Sequence, residues 1–244
     1  MELTPNRFSR LEDFKDGTVL LFDKPLGWTS FDVVNKVRGI LRHRLGVRKL
    51  KVGHAGTLDP LATGLLVICT GKMTKEIQGF IDDEKGYTGS LQLGATTPSY
   101  DLETEIDQTW SIEGITNEQV LEAAASFMPG YLQTAPMFSA KKVDGKVAYK
   151  AARKGKTLDI PPRYIAISRF ELTRVELPEL DFVVDCSKGT YIRSLVNDLG
   201  ARLNNGAHLT ALRRYRSGGF DVADALSIEG FEILLDALPP VENA

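Results

Sequence analysis

Cysteine is scarce. Cys69 and Cys186 are the two in 244 residues, and both sit inside apolar stretches, where a buried free thiol is the ordinary expectation. Two such residues make no disulfide framework, and no Asn-x-Ser/Thr sequon occurs, so a reducing, cytoplasmic setting fits best. No apolar run reaches the roughly 18 residues of a membrane-crossing helix, so no membrane partner is expected. Residues 1–16 carry Glu2, Glu12, Asp13 and Asp16 with no apolar core, unlike a secretory signal. Histidine is scarce too. His43, His54 and His208 are the three, none at ligand spacing with another ligand type, so no metal site is expected. There is no G-x-S-x-G elbow, no G-x-G-x-x-G after a strand, and no internal repeat. A phosphate-binding P-loop needs Gly, four residues, then Gly-Lys-Ser/Thr. Here six residues separate Gly64 from Gly71, and Met73 follows Lys72. That excludes the P-loop.

What is present is ordinary in bulk. The chain is 43% hydrophobic and 25% charged, which excludes a disordered chain and fits one large domain or one domain with an insert. The charge is not ordinary in its order. The net charge is −2, which alone argues mildly against a nucleic-acid partner. Yet Lys36, Arg38, Arg42, Arg44, Arg48, Lys49 and Lys51 run together without an acid. Lys141, Lys142, Lys146, Lys150, Arg153, Lys154 and Lys156 face only Asp144. Lys188, Arg193, Arg202, Arg213, Arg214 and Arg216 face only Asp198. The acids lie elsewhere: Asp101 to Glu122 in a stretch without Lys or Arg, and six more after Arg216. One such block is plainly read as a solvated face. Three, with the opposite charge sorted away, point to a phosphate-backbone partner.

Periodicity supplies the elements. Thr18 to Phe22 reads as a strand, broken by Lys24-Pro25-Leu26-Gly27. Thr29, with Asp32 three residues on, caps a helix whose apolar face is Val33, Val34, Val37, Ile40, Leu41 and Leu45. Gly53 to Gly64 reads as a loop and Leu65 to Cys69 as a buried strand. Tyr87, Gly89, Leu91 and Leu93 alternate with polar partners in a half-buried strand. Thr116 and Gln119 form a capping box ahead of Val120, Leu121, Ala124 and Phe127. Gly130 to about Pro161 is basic and lacks sustained periodicity, an excursion from the core. Ile165, Ile167, Phe170 and Leu172 suggest an irregular strand, and Phe182 to Cys186 another. Gly189-Thr190 then opens a helix with Ile192, Leu195, Val196, Leu199 and Leu203 on one stripe and Arg193 off it. Strands outnumber helices and several neighbours lack a crossover helix. The expected class is α+β, with a mixed, largely antiparallel central sheet flanked by helices and loops.

The densest feature is Val52-Gly53-His54-Ala55-Gly56-Thr57-Leu58-Asp59-Pro60-Leu61-Ala62-Thr63-Gly64. Its glycines let backbone approach a ligand. Asp59 is the one carboxylate between Asp32 and Glu76. A lone loop aspartate ahead of proline is most often a turn former. As a nucleophile it must be ionised, which in an apolar pocket requires a cation. Arg193 is a candidate. A cation at a helix N-terminus opposes the macrodipole, so its purpose is other than helix stability; a phosphate contact is the plainer reading. Tyr87 is either core or, between Gly86 and Gly89, a ring with room for something flat to stack on it.

The stretch Val52 to Gly64 resembles the catalytic motif of the TruB family of tRNA pseudouridine synthases. Further segments match in order: Leu21 to Ser30, Lys85-Gly86-Tyr87 through Gly94, Pro136 to Lys142, Cys186 to Arg193, and Gly206 to Arg214. The resemblance spans about residues 18–220. It implies the pseudouridine synthase fold, no metal or organic cofactor, and isomerisation of one uridine in the T-loop of tRNA. By position, Asp59 matches the nucleophile, attacking either the uracil or the ribose carbon, and Arg193 matches the arginine paired with it. Tyr87 matches the tyrosine that stacks on the base and helps remove its C5 proton. His54, Tyr191 and Leu212 match residues lining the substrate pocket, with Lys24 and Pro25 beside it.

The resemblance also implies an organisation. Residues 1–220 form the catalytic domain, with a basic RNA-clamping insertion at about 130–161. Residues 221–244 form a short acidic extension, too short for the PUA-type RNA-binding domain that many members carry. The implied partner is the T-stem-loop of tRNA, met by a monomer without an obligate protein partner. Two other classes share parts of this pattern. A tRNA-folding factor shares every basic block without needing Asp59. A nucleotide-dependent enzyme is disfavoured by Met73.

Overall fold

Local chemistry starts and stops the elements. Thr29 accepts a hydrogen bond from Asp32 N while the Asp32 carboxylate takes the Thr29 N–H, a complete capping box. It opens a helix over Ser30–Arg44. Pro25, which has no N–H to donate, follows a strand over Val19–Lys24. The computed structural model describes residues 5–143 and 145–239. Asp144 and the end of the acidic extension, 240–244, lie outside the described residues.

In chain order the elements are α1 (Asp13–Asp16), β1 (Val19–Lys24), α2 (Ser30–Arg44), β2 (Val52–Ala55), β3 (Ala62–Thr70), α3 (Ile77–Asp82), β4 (Lys85–Leu93), β5 (Ala95–Thr96), β6 (Gln108–Thr109), α4 (Asn117–Ala125) and β7 (Gly130–Gln133). They continue as β8 (Lys142–Val143), β9 (Lys146–Val147), α5 (Ala148–Ala152), β10 (Arg163–Glu176), β11 (Glu179–Cys186), α6 (Ile192–Arg202), β12 (Ala207–Ser217), β13 (Phe220–Asp221) and α7 (Ile228–Asp236). Among the described residues, no helix is long and apolar enough to cross a membrane. The chain divides into two compact units, residues 1–85 with 213–244, and residues 86–212. β12 runs through the division, so its first half belongs to the second unit and its last half to the first.

In the first unit, β3 is central. β1 pairs antiparallel along it from Val19↔Cys69 to Lys24↔Gly64. β2 pairs with it from Val52↔Thr70 to Ala55↔Val67, and β12 follows β3 in the strand order. Side chains alternate across this sheet. Leu20, Phe22, Leu66 and Ile68 face α2 and α7, where Val33, Val34, Val37, Leu41, Phe231 and Leu235 are buried with them. Val19, Leu21, Leu65, Val67 and Cys69 face the other way, toward Ile77 and Phe80 of α3. Both faces are covered, which is why β1 and β3 read as continuous apolar runs rather than alternating ones. Each such Leu, Val or Phe withdrawn from water is worth about 1.5–3 kcal/mol.

In the second unit the strand order is β12, β4, β11, β10, β7. β10 and β11 form an antiparallel ladder with register shifts between Ile167 and Arg169 and between Leu172 and Arg174. Those shifts are the irregularity that the Ile165–Leu172 pattern suggests. β7 closes the edge by pairing Arg163↔Gln133 to Ala166↔Gly130. α4, opened by the Thr116–Gln119 capping box, contributes Val120 and Ala124 to the core with Phe127, Phe170 and Phe182, whose rings meet edge to face. Outside the sheet, β5–β6 and β8–β9 are two-stranded ribbons. The architecture is α+β, with a mixed, largely antiparallel sheet flanked by helices.

Two expectations need correction. Residues 53–64 are not all loop. Gly53 to Ala55 lie in β2 and Ala62 to Gly64 in β3, because their backbone groups complete ladders on β3, a pairing no local pattern announces. The charge blocks also do not stay apart. Lys36 and Arg44 of α2 form ion pairs with Glu232 and Asp236 of α7, the first at 3.2 Å. Arg213 pairs with Asp23 at 2.7 Å. The acidic segment folds onto the basic one.

Candidate active site

The Asp59 loop is held at several points of the first unit. Ser30, the first residue of α2, donates its hydroxyl to Leu58 O at 3.1 Å and accepts Leu58 N at 2.8 Å. Leu58 is buried, and Asp59 beside it is half-buried. Ala62 N donates to Asp59 O at 3.0 Å, and Gly27 N to Pro60 O at 2.8 Å. The loop is thereby tied to the start of α2 and to the Lys24–Gly27 segment. Gly27 at φ +82° and Gly56 at φ +89° take left-handed conformations that only glycine adopts cheaply.

Lys24 is fully buried. Its ammonium donates to Pro25 O at 3.0 Å and Trp28 O at 2.6 Å. Burial pushes it down from 10.5 to about 8. The charge of Asp59 pulls it back up, and that of Arg214 pushes it down. His54 lies on β2, half-buried rather than on a free loop. Burial holds its imidazole below the ordinary value, the Gly56 backbone opposes this, and the charge of Arg214 adds to it. A neutral ring follows at pH 7. Lys24 thus feels the charges of both Asp59 and Arg214, and His54 that of Arg214.

In the second unit, Tyr87 is buried on β4. Tyr191 is the N-cap of α6. Leu212 is half-buried on β12. Arg193, expected off the apolar stripe, is nonetheless buried. Its Nη1 donates to Ser99 O at 3.1 Å and its Nη2 to Phe138 O at 3.0 Å, and its Nε lies 3.5 Å from Asp101 Oδ2. Ser99 and Asp101 flank Tyr100, a non-glycine residue at φ +64°, a conformation costing about 1–3 kcal/mol. The turn at Tyr100 presents two partners to one guanidinium. Arg193 is therefore not a solvent-facing phosphate contact.

Two residues of this arrangement escape a reading of the sequence alone. Asp101 looks like one more member of an acidic surface run, although it is buried. Gln133, also buried, accepts Tyr191 N at 2.8 Å and donates to Tyr191 O at 3.1 Å and to the Tyr131 hydroxyl at 2.8 Å. Tyr131 in turn donates to Asp198 at 2.7 Å. This chain of bonds fixes the backbone two residues ahead of Arg193. Arg202 stacks over the Phe127 ring, 3.5 Å from its centroid. Among the described residues no group of three or more His, Cys, Asp and Glu side chains is arranged to hold a metal.

Comparison with known proteins gives this arrangement its class. Residues 42–192 match the model of the TruB family pseudouridylate synthase N-terminal domain, and residues 193–238 match that of the tRNA pseudouridylate synthase B C-terminal domain. The tRNA pseudouridine synthase B of Phocaeicola vulgatus is 55% identical over 224 residues, covering 92% of this chain and 95% of the relative. That of Flavobacterium johnsoniae is 53% identical over 222 residues, covering 91% and 97%. Among solved structures, a chain of a Cbf5-Nop10-Gar1 complex superposes with a TM-score of 0.68 at 26% identity, over 95% of this chain and 60% of that one. The chain thus spans about 60% of the length of that solved relative and nearly all of the curated ones. The fold and the sequence define a pseudouridylate synthase. The chain belongs to the TruB family.

Proposed function

We propose that this protein isomerises a uridine in the T-loop of tRNA to pseudouridine, with Asp59 as the nucleophile. The observation that carries the reading is the identity of 55% and 53%, over nearly the whole chain, to proteins named tRNA pseudouridine synthase B. The reaction breaks the bond from uracil N1 to the ribose and makes one from C5 to the same carbon. The C5 proton leaves and N1 gains one, so atoms balance and no oxidant enters. A base inside a folded loop is out of reach, so it must be flipped out at a cost of a few kcal/mol.

In this reading Asp59 attacks as a carboxylate, kept ionised by a cation, for which Arg193 is the candidate. Tyr87 stacks on the uracil and assists loss of the C5 proton. His54, Tyr191, Leu212 and Lys24 surround the base. Exposed cations such as Arg42, Arg48, Lys49, Lys142 and Lys146 grip the flanking phosphates and set register, while the pocket reads the base. Residues 1–220 act as the catalytic domain. The ribbon of β8 and β9 and the helix α5 belong to the insertion at about 130–161 that closes over the RNA. The protein works as a monomer in the cytoplasm, without an obligate protein partner.

The test uses D59N with an unmodified tRNA transcript. Binding retained near the parent affinity, with no pseudouridine detected by mass spectrometry, supports the reading. Turnover near the parent rate would refute the role of Asp59. A variant that forms no pseudouridine yet still promotes tRNA folding separates isomerisation from RNA remodelling.

A further inference from the structure

Arg213 and Arg214 are adjacent, both in the third basic block, yet β12 turns them to opposite faces. Arg213 is partly exposed and grips both oxygens of Asp23, at 2.9 and 2.7 Å. Arg214 is 1% exposed and heads the fully buried side chains in size. Its Nε donates to Leu65 O at 2.7 Å and its Nη2 to Gly56 O at 3.2 Å. These two carbonyls lie on either side of the segment 57–64, which contains Asp59.

The backbone of Arg214 is closely packed against β3. A Cβ on Gly64 would come within 2.3 Å of Arg214 O and 2.8 Å of Arg214 N, and Gly64 sits at φ +102°. β3 and β12 therefore approach here as only glycine permits. A Cβ on Gly56 would lie 3.4 Å from Arg214 Nη1. A buried cation needs compensating dipoles, and the planar fork of arginine meets two separated carbonyls where the point charge of lysine cannot.

We propose that Arg214 is a positioning residue for Asp59: it ties Gly56 to Leu65, fixes the span of the loop between them, and stands behind it as a permanent positive charge. This rests on the reading of Asp59 as nucleophile and deepens it. The charge of Arg214 bears on Lys24 and His54, lowering the proton affinity of both. It therefore acts within the environment that Asp59 shares. Arg214 thus does not belong with the cations that meet phosphate.

The experiment compares R214K, R214Q and D59N on an unmodified tRNA transcript. R214K, assayed below its own unfolding temperature, should hold RNA affinity within about threefold, while single-turnover rate falls about a hundredfold, the scale of a small misplacement of reacting groups. R214Q removes the charge as well. At saturating RNA its single-turnover rate should fall below that of R214K, with affinity still within about threefold of the parent. A purely structural role lowers only the fraction of active protein and leaves the rate of that fraction at the parent level. A rate for R214K within about threefold of the parent overturns the proposal, and so does a loss of RNA affinity equal to the loss of rate. If neither variant folds, hydrogen exchange in the parent decides. Amides of residues 57–59 and 61 exchanging as slowly as those of residues 65–70 in β3 support the tie, and exchange at the rate of an open loop overturns it. An inactive D59N beside parent-like Arg214 variants removes only the Arg214 proposal. An active D59N removes the reading beneath it.

Discussion

Nε of Arg193 lies 3.5 Å from Oδ2 of Asp101, with the two side chains only 5% and 7% exposed. Asp101 is itself held, since its Oδ1 accepts Glu103 N at 2.9 Å. Removing one member of a buried pair strands the other charge, at a typical cost of 3–5 kcal/mol. Arg193 keeps the carbonyls of Ser99 and Phe138, so D101A should lose about 3 kcal/mol of unfolding free energy, at the low end of that range. D101N, which preserves shape and the bond to Glu103, should lose less. Urea unfolding of both measures this. A loss under about 1 kcal/mol for D101A, the value of an exposed pair, would show that the contact adds little.

What the sequence reveals here depends on range. The Thr29–Asp32 and Thr116–Gln119 boxes need four residues each, and both form. The alternation of Tyr87 to Leu93 is also local, and it is a strand. Asp59, Arg193 and Tyr87 come from family resemblance rather than from spacing, since a loop aspartate and a helix-start arginine are each common. Long-range pairing stays hidden. Nothing within a few residues of His54 says that it will sit opposite Ile68 in a ladder. Arg213 and Arg214 are identical in type and adjacent, and only the face of β12 decides which is buried. The sorting of charge along the sequence does not carry fully into the fold for the same reason, because α2 and α7, far apart in sequence, meet through Lys36–Glu232 and Arg44–Asp236.

Gln133 offers a sharper test of how the start of α6 is held. Its amide satisfies both backbone groups of Tyr191 and the Tyr131 hydroxyl. Q133L takes the Gln133 acceptor from Tyr191 N and one of two bonds from Tyr191 O and from the Tyr131 hydroxyl, which keep Leu195 N and Asp198. Unfolding free energy should fall by about 1–3 kcal/mol, the cost of one buried group losing its bond. Q133E still accepts Tyr191 N but no longer donates to Tyr191 O or Tyr131, so it should fall between the parent and Q133L. Equal stability of the parent and Q133L in urea would remove Gln133 from the account.

The ion pairs between α2 and α7 predict which cations RNA feels. Lys36 and Arg44 are partly neutralised by Glu232 and Asp236, while Arg48 and Lys49 are exposed in the loop that follows. Every phosphate left without its cation lowers the slope of log affinity against log salt by roughly one. R48Q/K49Q should therefore lower the slope for a tRNA transcript by about two, and K36Q/R44Q by less than about one. Fluorescence titration over a salt series reads both. Equal slopes for the two double variants would mean that the pairing does not screen α2. A flat response of the parent would mean that the basic blocks are only solvated surface.

Lys24 carries the clearest dependence on pH. Burial holds its folded pKa at about 8 against 10.5 for the free side chain. Below about 8 both folded and unfolded chains carry the proton, and its effect on stability is constant. Between about 8 and 10.5 the unfolded chain binds more protons than the folded one, so the contribution of this lysine to stability rises with pH. The sign is opposite to that of a lysine gaining an acidic partner. K24M removes the titration and keeps most of the volume. The unfolding free energy of the parent minus that of K24M should therefore grow as pH is raised through this window, while every other group titrates alike in the two proteins. Urea unfolding at neutral pH and at roughly two units above the folded value measures the difference. A difference that stays constant, or shrinks, would mean that Lys24 keeps its proton well above about 8 and that the Asp59 charge outweighs the cost of burial.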